Sequence, residues 1–137
     1  MVNRNVLTAR LERLREYLDL LKAVQGYDLK RFVADPFVHG TAERNLHLAI
    51  ECLLDIGNHV ISAQGYPKPE SYADIFRILN ERGVIPDQLF TALEGMAAFR
   101  NVLVHDYLRL DREKVFRIVY EKLEPMEELA GIFAEML

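Results

Sequence analysis

Residues 36–64 read PFVHGTAERNLHLAIECLLDIGNHVISAQ, and their periodicity decides the class of fold. Leu46, Ile50, Leu53, Leu54 and Val60 recur at the three-to-four spacing of one helical face, and Pro36 is preorganised for a first helical turn. The stretch therefore predicts one long helix ending near Gln64. Upstream, Leu7, Leu11, Leu14, Leu18 and Leu21 form a second stripe opposed by Arg10, Arg13, Glu16 and Lys22, and Gly26 supplies the stop. A short helical piece fits residues 28–34. Downstream, Gly65-Tyr-Pro-Lys-Pro69 is a rigid turn, and Ser71 is placed to cap a helix that runs to Gly83. A further helix is predicted over 86–107, opened by Pro86. A last one starts near Asp111, and Pro125 is expected to kink it or reset its start. No segment alternates with a period of two. The expectation is all-α: a single-domain antiparallel bundle of five to six helices over residues 1–137.

Composition narrows the function. With 137 residues, half of them apolar and 28% charged, the chain can bury a core without disulfides or a structural metal. The net charge of −4 argues against a broad electrostatic binder of nucleic acid. Residues 100–117 depart from that balance, because Arg100, Arg109, Arg112, Lys114 and Arg117 outnumber Asp106, Asp111 and Glu113. Cys52 is the only cysteine, so no internal disulfide forms and no C-x-x-C metal signature exists. No apolar run approaches the roughly 18 residues of a membrane span, and no leader-like pattern opens the chain. A cytoplasmic protein with no membrane partner is expected.

Two polar constellations stand out. Glu43, His47, Glu51, Asp55 and His59 recur at i, i+4 along the long helix. Such a ladder can serve a di-metal bundle, but a second helix must then supply matching Glu-x-x-His ligands, and none does. Helix-supporting pairs on a solvated face are the simpler reading. No metal is expected. Gly57, inside Asp55-Ile-Gly-Asn-His59, lets another helix approach closely.

The second constellation is Met96-Ala-Ala-Phe-Arg-Asn-Val-Leu-Val-His-Asp-Tyr-Leu108. On one continuous helix Leu89, Leu93, Met96, Arg100, Leu103 and Tyr107 would share an apolar stripe, while Glu94, Ala98, Asn101 and His105 would form a small polar face. A guanidinium in an apolar seam needs an anion. That anion is either a carboxylate of the chain, Asp55 or Glu51, or a ligand phosphate that suits bidentate donors. At about 100° per residue, Arg100 and His105 point about 140° apart. One straight helix cannot aim both at one small group. They converge only if the helix frays near His105 or a second copy of the chain faces the first.

Arg100-Asn-Val-Leu-Val-His105-Asp-Tyr107 resembles the R-x4-H-x-Y motif of the HEPN superfamily, and more closely that of the HEPN toxins paired with a minimal nucleotidyltransferase antitoxin. The resemblance spans nearly the whole chain, including the long first helix, Ala42–Glu51, Asp55–His59 and the final helix. It implies a metal-independent RNA endonuclease without cofactor, with Arg100 and His105 of two subunits as catalytic residues in a homodimer cleft. Asn101 and Asp106 are expected in support, with Asp55 and His59 as further supporting candidates. By the same resemblance, the nucleotidyltransferase antitoxin would transfer AMP to Tyr107. The alternative is a non-catalytic HEPN dimerisation or nucleotide-binding module that partners a nucleotidyltransferase.

Overall fold

The computed structural model describes residues 3–137, and every regular element among them is helical. In chain order they are α1 (Arg4–Val24), α2 (Leu29–Ala34), α3 (Pro36–Ala63), α4 (Tyr72–Glu81), α5 (Asp87–Leu93), α6 (Met96–His105), a 3-10 turn (Tyr107–Arg109) and α7 (Arg112–Ala134). The all-α reading holds. No helix among the described residues is long and apolar enough to cross a membrane.

Short polar side chains punctuate the bundle. Asn3, Asp28, Asp35, Ser71 and Asp111 each accept hydrogen bonds from first-turn amides of α1, α2, α3, α4 and α7. Those amides have no intrahelical acceptor, so each cap removes an otherwise unmet donor. The long α3 is the axis: it packs against α1, α2, α4, α6 and α7. Its residues Leu46, Ile50, Leu53, Leu54, Ile56 and Val60 are buried, and one apolar cluster continues from them into all seven helices.

The helix predicted over 86–107 is two. Glu94 leaves helical geometry and Gly95 takes φ +84°, a left-handed conformation that glycine adopts without a Cβ clash. Counted as one broken helix, α5 and α6 give six. The break preserves the stripe up to Leu103, because Leu89, Leu93, Met96 and Leu103 are all buried. It does not reach Tyr107. The chain turns out of the helix at Asp106 (φ −138°, ψ 34°), and Tyr107 is 63% exposed on the 3-10 turn, not packed in the seam.

Pro125 does not reset α7, which runs from Arg112 to Ala134 with the proline inside. Leu123 and Met126 flank it in the core, and Leu129 and Phe133 continue the buried stripe. That packing outweighs the backbone bond Pro125 cannot donate.

Gly57 marks the tightest helix approach. A Cβ there would lie 2.8 Å from Ile75 Cγ2 and 3.2 Å from Leu79 Cδ1, both on α4. Ile75 Cγ2 sits on a β-branched carbon with little rotamer freedom, so α4 itself must yield. Gly57→Val is expected to cost about 2 kcal/mol through overpacking, read as a lower midpoint in urea denaturation.

Candidate active site

α6 carries the motif from Arg100 to His105, and Tyr107 follows on the 3-10 turn. In the middle of α6, Arg100 points toward α3 with its side chain 11% exposed. Its Nε donates to Glu51 Oε2 at 2.7 Å and its Nη2 to Glu51 Oε1 at 2.9 Å, a bidentate pair. Its Nη1 donates to Asn101 Oδ1 at 3.0 Å. The guanidinium carbon also lies 4.7 Å from the centre of the Tyr72 ring on α4. Of the two carboxylates the sequence offers for Arg100, Glu51 takes the role.

The electrostatics follow from this pairing. The hydrogen bond from Arg100 is the largest influence on Glu51 and lowers its carboxyl below the usual range, with partial burial opposing it. His47 Nε2, one turn earlier on α3, stands 3.3 Å from the same Glu51 oxygen. Desolvation, and then the nearby Glu51 charge, raise the carboxyl of Asp55. Asp55 lines a cleft between α1 and α3 with Arg10, Arg13, Tyr17, Glu51 and Cys52. Burial pushes the Cys52 thiol up to about 11, which disqualifies it as a nucleophile near neutral pH.

The C-terminal end of α6 is a different environment. His105 is the last helical residue and is exposed, and Asp106 is the cap after it. Asp106 stands 3.7 Å from Arg109 in an exposed pair. Tyr107 and Leu108 lie on one side of a cleft of about 620 Å³ that His39, Glu43 and Arg112 also line. Ala98, Asn101 and His105 are all exposed, so the small polar face survives the helix break.

The candidate residues thus fall into three places. Arg100 and Asn101 touch each other, with Asp55 contributing charge nearby. His105, Asp106 and Tyr107 share the exposed end of α6. His59 has another occupation: its Nε2 accepts the Asn3 amide, at 3.2 Å, at the start of α1. Within one chain the helix directs Arg100 and His105 apart.

The polar ladder of α3 resolves into pairs, with His39 on Glu43 at 3.2 Å and His47 on Glu51. Among the described residues no three His, Cys, Asp or Glu side chains gather into a group that could hold a metal ion. Sequence reasoning missed Tyr72. It belongs to a different helix, 28 positions before Arg100, and neither periodicity nor motif spacing links the two.

Over 128 residues the chain is 27% identical to the mRNA nuclease HepT of Shewanella oneidensis, covering 93% of this chain and 96% of that one. It is 26% identical over 114 residues to the tRNA nuclease HepT of Aphanizomenon flos-aquae, covering 83% and 78%. In structure it matches the tri-AMPylated HEPN toxin of Shewanella oneidensis, solved in complex with MNT antitoxin. The TM-score is 0.84 at 26% identity, over 95% of this chain and 97% of that one. The family model for HepT-like ribonucleases matches residues 11–131, a span that contains the whole R-x4-H-x-Y segment. The chain belongs to the HepT-like ribonuclease family.

Proposed function

We propose that this chain is the toxin of a HEPN/nucleotidyltransferase pair: a cytoplasmic, metal-independent RNA endonuclease whose active site is completed by a second copy of the chain. The observation that carries the reading is the motif's disposition on α6. A guanidinium is fixed in mid-helix, an imidazole is exposed at its end, and a phenol is exposed on the turn that follows. RNA brings its own nucleophile. The 2′-oxygen attacks the adjacent phosphorus, the P–O5′ bond breaks, and a cyclic phosphate and a 5′-hydroxyl result. The protein must take a proton from the 2′-hydroxyl, give one to the departing 5′-oxygen, and balance charge on the phosphoryl oxygens.

His105 suits the proton transfers, because one imidazole can take the proton of the 2′-hydroxyl as a base and then, as imidazolium, give it to the departing 5′-oxygen. Arg100 suits the charge. Glu51 and Asn101 accept from three of its five N–H groups, and two donors remain for a phosphate. Glu51 is the residue that orients it, and Asn101 closes the third side. The exposed Ala98–Asn101–His105 face gives a partner copy a surface without bulk.

The purified protein is expected to cut RNA in the presence of a chelator, and Arg100→Ala to abolish the cutting. Cleavage that persists in the variant would assign the activity elsewhere. A non-catalytic partner module is the second reading, favoured by the ion pair that already occupies Arg100. It predicts no cleavage by the unsubstituted chain.

Tyr107 is the AMP acceptor in this proposal. Its phenol oxygen would attack the α-phosphorus of ATP and lose its proton, and pyrophosphate would leave. The added phosphodiester places negative charge at the cleft and repels RNA. Exposure on a short 3-10 turn makes the phenol accessible to a second enzyme. Co-expression with the nucleotidyltransferase should add the mass of one or more AMP groups and silence the nuclease. Tyr107→Phe should block addition at this position and leave cutting active.

A further inference from the structure

Arg100 has a neighbour that the motif does not contain. Tyr72 opens α4, stacks one side of its ring on the Arg100 guanidinium, and keeps 43% of its surface exposed. Tyr72 also lines a depression of about 320 Å³ formed with Asn58, Lys68, Glu70, Ser71 and Ile75. Tyr72 is one of several large apolar side chains left exposed, and it is the one whose ring lies against the Arg100 guanidinium.

We propose that this depression is a base-binding subsite for single-stranded RNA, in which a nucleobase stacks against the Tyr72 ring next to Arg100. The proposal rests on the ribonuclease reading and adds where the substrate is gripped. Its parts are chemically suited to a nucleotide. The ring supplies a stacking platform, worth about 1–3 kcal/mol per base and indifferent to which base is present. Asn58 is exposed on α3 and carries both a donor and an acceptor for a base edge. Lys68, exposed on the rim, offers an ammonium to a phosphate. Glu70 stands on the same rim and repels phosphates, so the backbone of a bound strand passes on the Lys68 side. Ile75 is buried and closes the floor.

The arrangement joins binding to chemistry through one side chain. Tyr72 touches the guanidinium and also borders the depression, so a base stacked on it lies close to the phosphate that Arg100 would hold. A base inside a duplex cannot offer its face to a protein ring, which confines productive binding to loops and unpaired strands. The subsite thus selects RNA by accessibility of its bases and not by their sequence.

The test uses short RNA oligomers carrying 2-aminopurine at successive positions, titrated into the full chain in a His105→Ala background that leaves the RNA uncut. Stacking on Tyr72 should quench the probe at one position, and Tyr72→Phe should preserve the quench. Tyr72→Leu should lose it and weaken binding about ten-fold, a factor within the range of one stacked base. Lys68→Ala, on the same rim, should weaken binding several-fold and reduce its salt dependence by about one ion. In the cleaving protein, Tyr72→Leu should raise KM about ten-fold and leave kcat nearly unchanged. A fall in kcat alone would show that Tyr72 merely steadies Arg100 and would overturn the subsite. So would unchanged RNA binding in both Tyr72→Leu and Lys68→Ala. If the unsubstituted chain neither binds nor cuts RNA, the ribonuclease reading fails and takes the subsite with it. If it cuts normally while these variants behave as wild type, only the subsite fails.

Discussion

His105→Ala should slow RNA cleavage at least about a hundred-fold while leaving the protein folded. The two halves of that result have separate causes. The imidazole is the proton-transfer group of the proposed mechanism, and its loss removes the proton transfers in both directions. Its position explains the unaltered fold. It is the last residue of the helix, it faces solvent, and it adds only a modest dipole interaction, so the loss of stability should stay within about 1 kcal/mol. Initial rates on a labelled RNA, paired with a thermal unfolding curve, read both halves. An equal fall in activity and stability would point to damage instead of chemistry.

Glu51→Ala should act in the opposite order, on structure first. It leaves the Arg100 guanidinium, 11% exposed, without its carboxylate, and removes the partner of His47 as well. Removing one member of a fully buried ion pair costs about 3–5 kcal/mol. Glu51 is 31% exposed and water can reach the gap, so about 2 kcal/mol is expected here. Activity should fall with it, because a released Arg100 is no longer held in one place. Replacing Arg100 by methionine in the same background should recover part of the stability and none of the activity, since the uncompensated charge is then gone.

The pH dependence of this effect has a fixed sign. The folded Glu51 carboxyl lies below its ordinary value, so the stability it contributes is fully present above that value and is lost as pH falls through the folded one. The stability gap between the wild-type chain and Glu51→Ala should therefore close in acid and stay open at neutral pH. Urea midpoints taken across the acid range would show it.

Much of this fold is legible in the sequence. Leu46, Ile50, Leu53, Leu54 and Val60 announced α3 because a half-buried helix must repeat its apolar residues. Ser71 and Asp111 announced two starts because few side chains can satisfy free first-turn amides. The motif was legible as well, since it lies within eight consecutive residues. The break at Gly95 was not: both halves keep one apolar stripe in phase, and a glycine inside such a stripe reads as a tolerated interruption. Tyr107 was misplaced for the same reason, because the periodicity runs on past Asp106 while the backbone does not. Pro125 failed as a boundary because tertiary packing overrode local preference. The choice of Glu51 over Asp55, and the arrival of Tyr72, depend on how three helices meet. One-dimensional spacing carries no such information.

In the proposed dimer, one active site draws Arg100 from one copy of the chain and His105 from another. Mixing the two inactive variants tests it directly. Equal amounts of Arg100→Ala and His105→Ala protein, denatured together and refolded, form mixed dimers in which one site keeps Arg100 from one copy and His105 from the other. Half of the dimers are then mixed, each with one intact site of two, so cleavage should return to about a quarter of the wild-type rate. A mixture as inactive as its components, in dimers shown to have exchanged, would place both residues in a single chain and rule out the shared site.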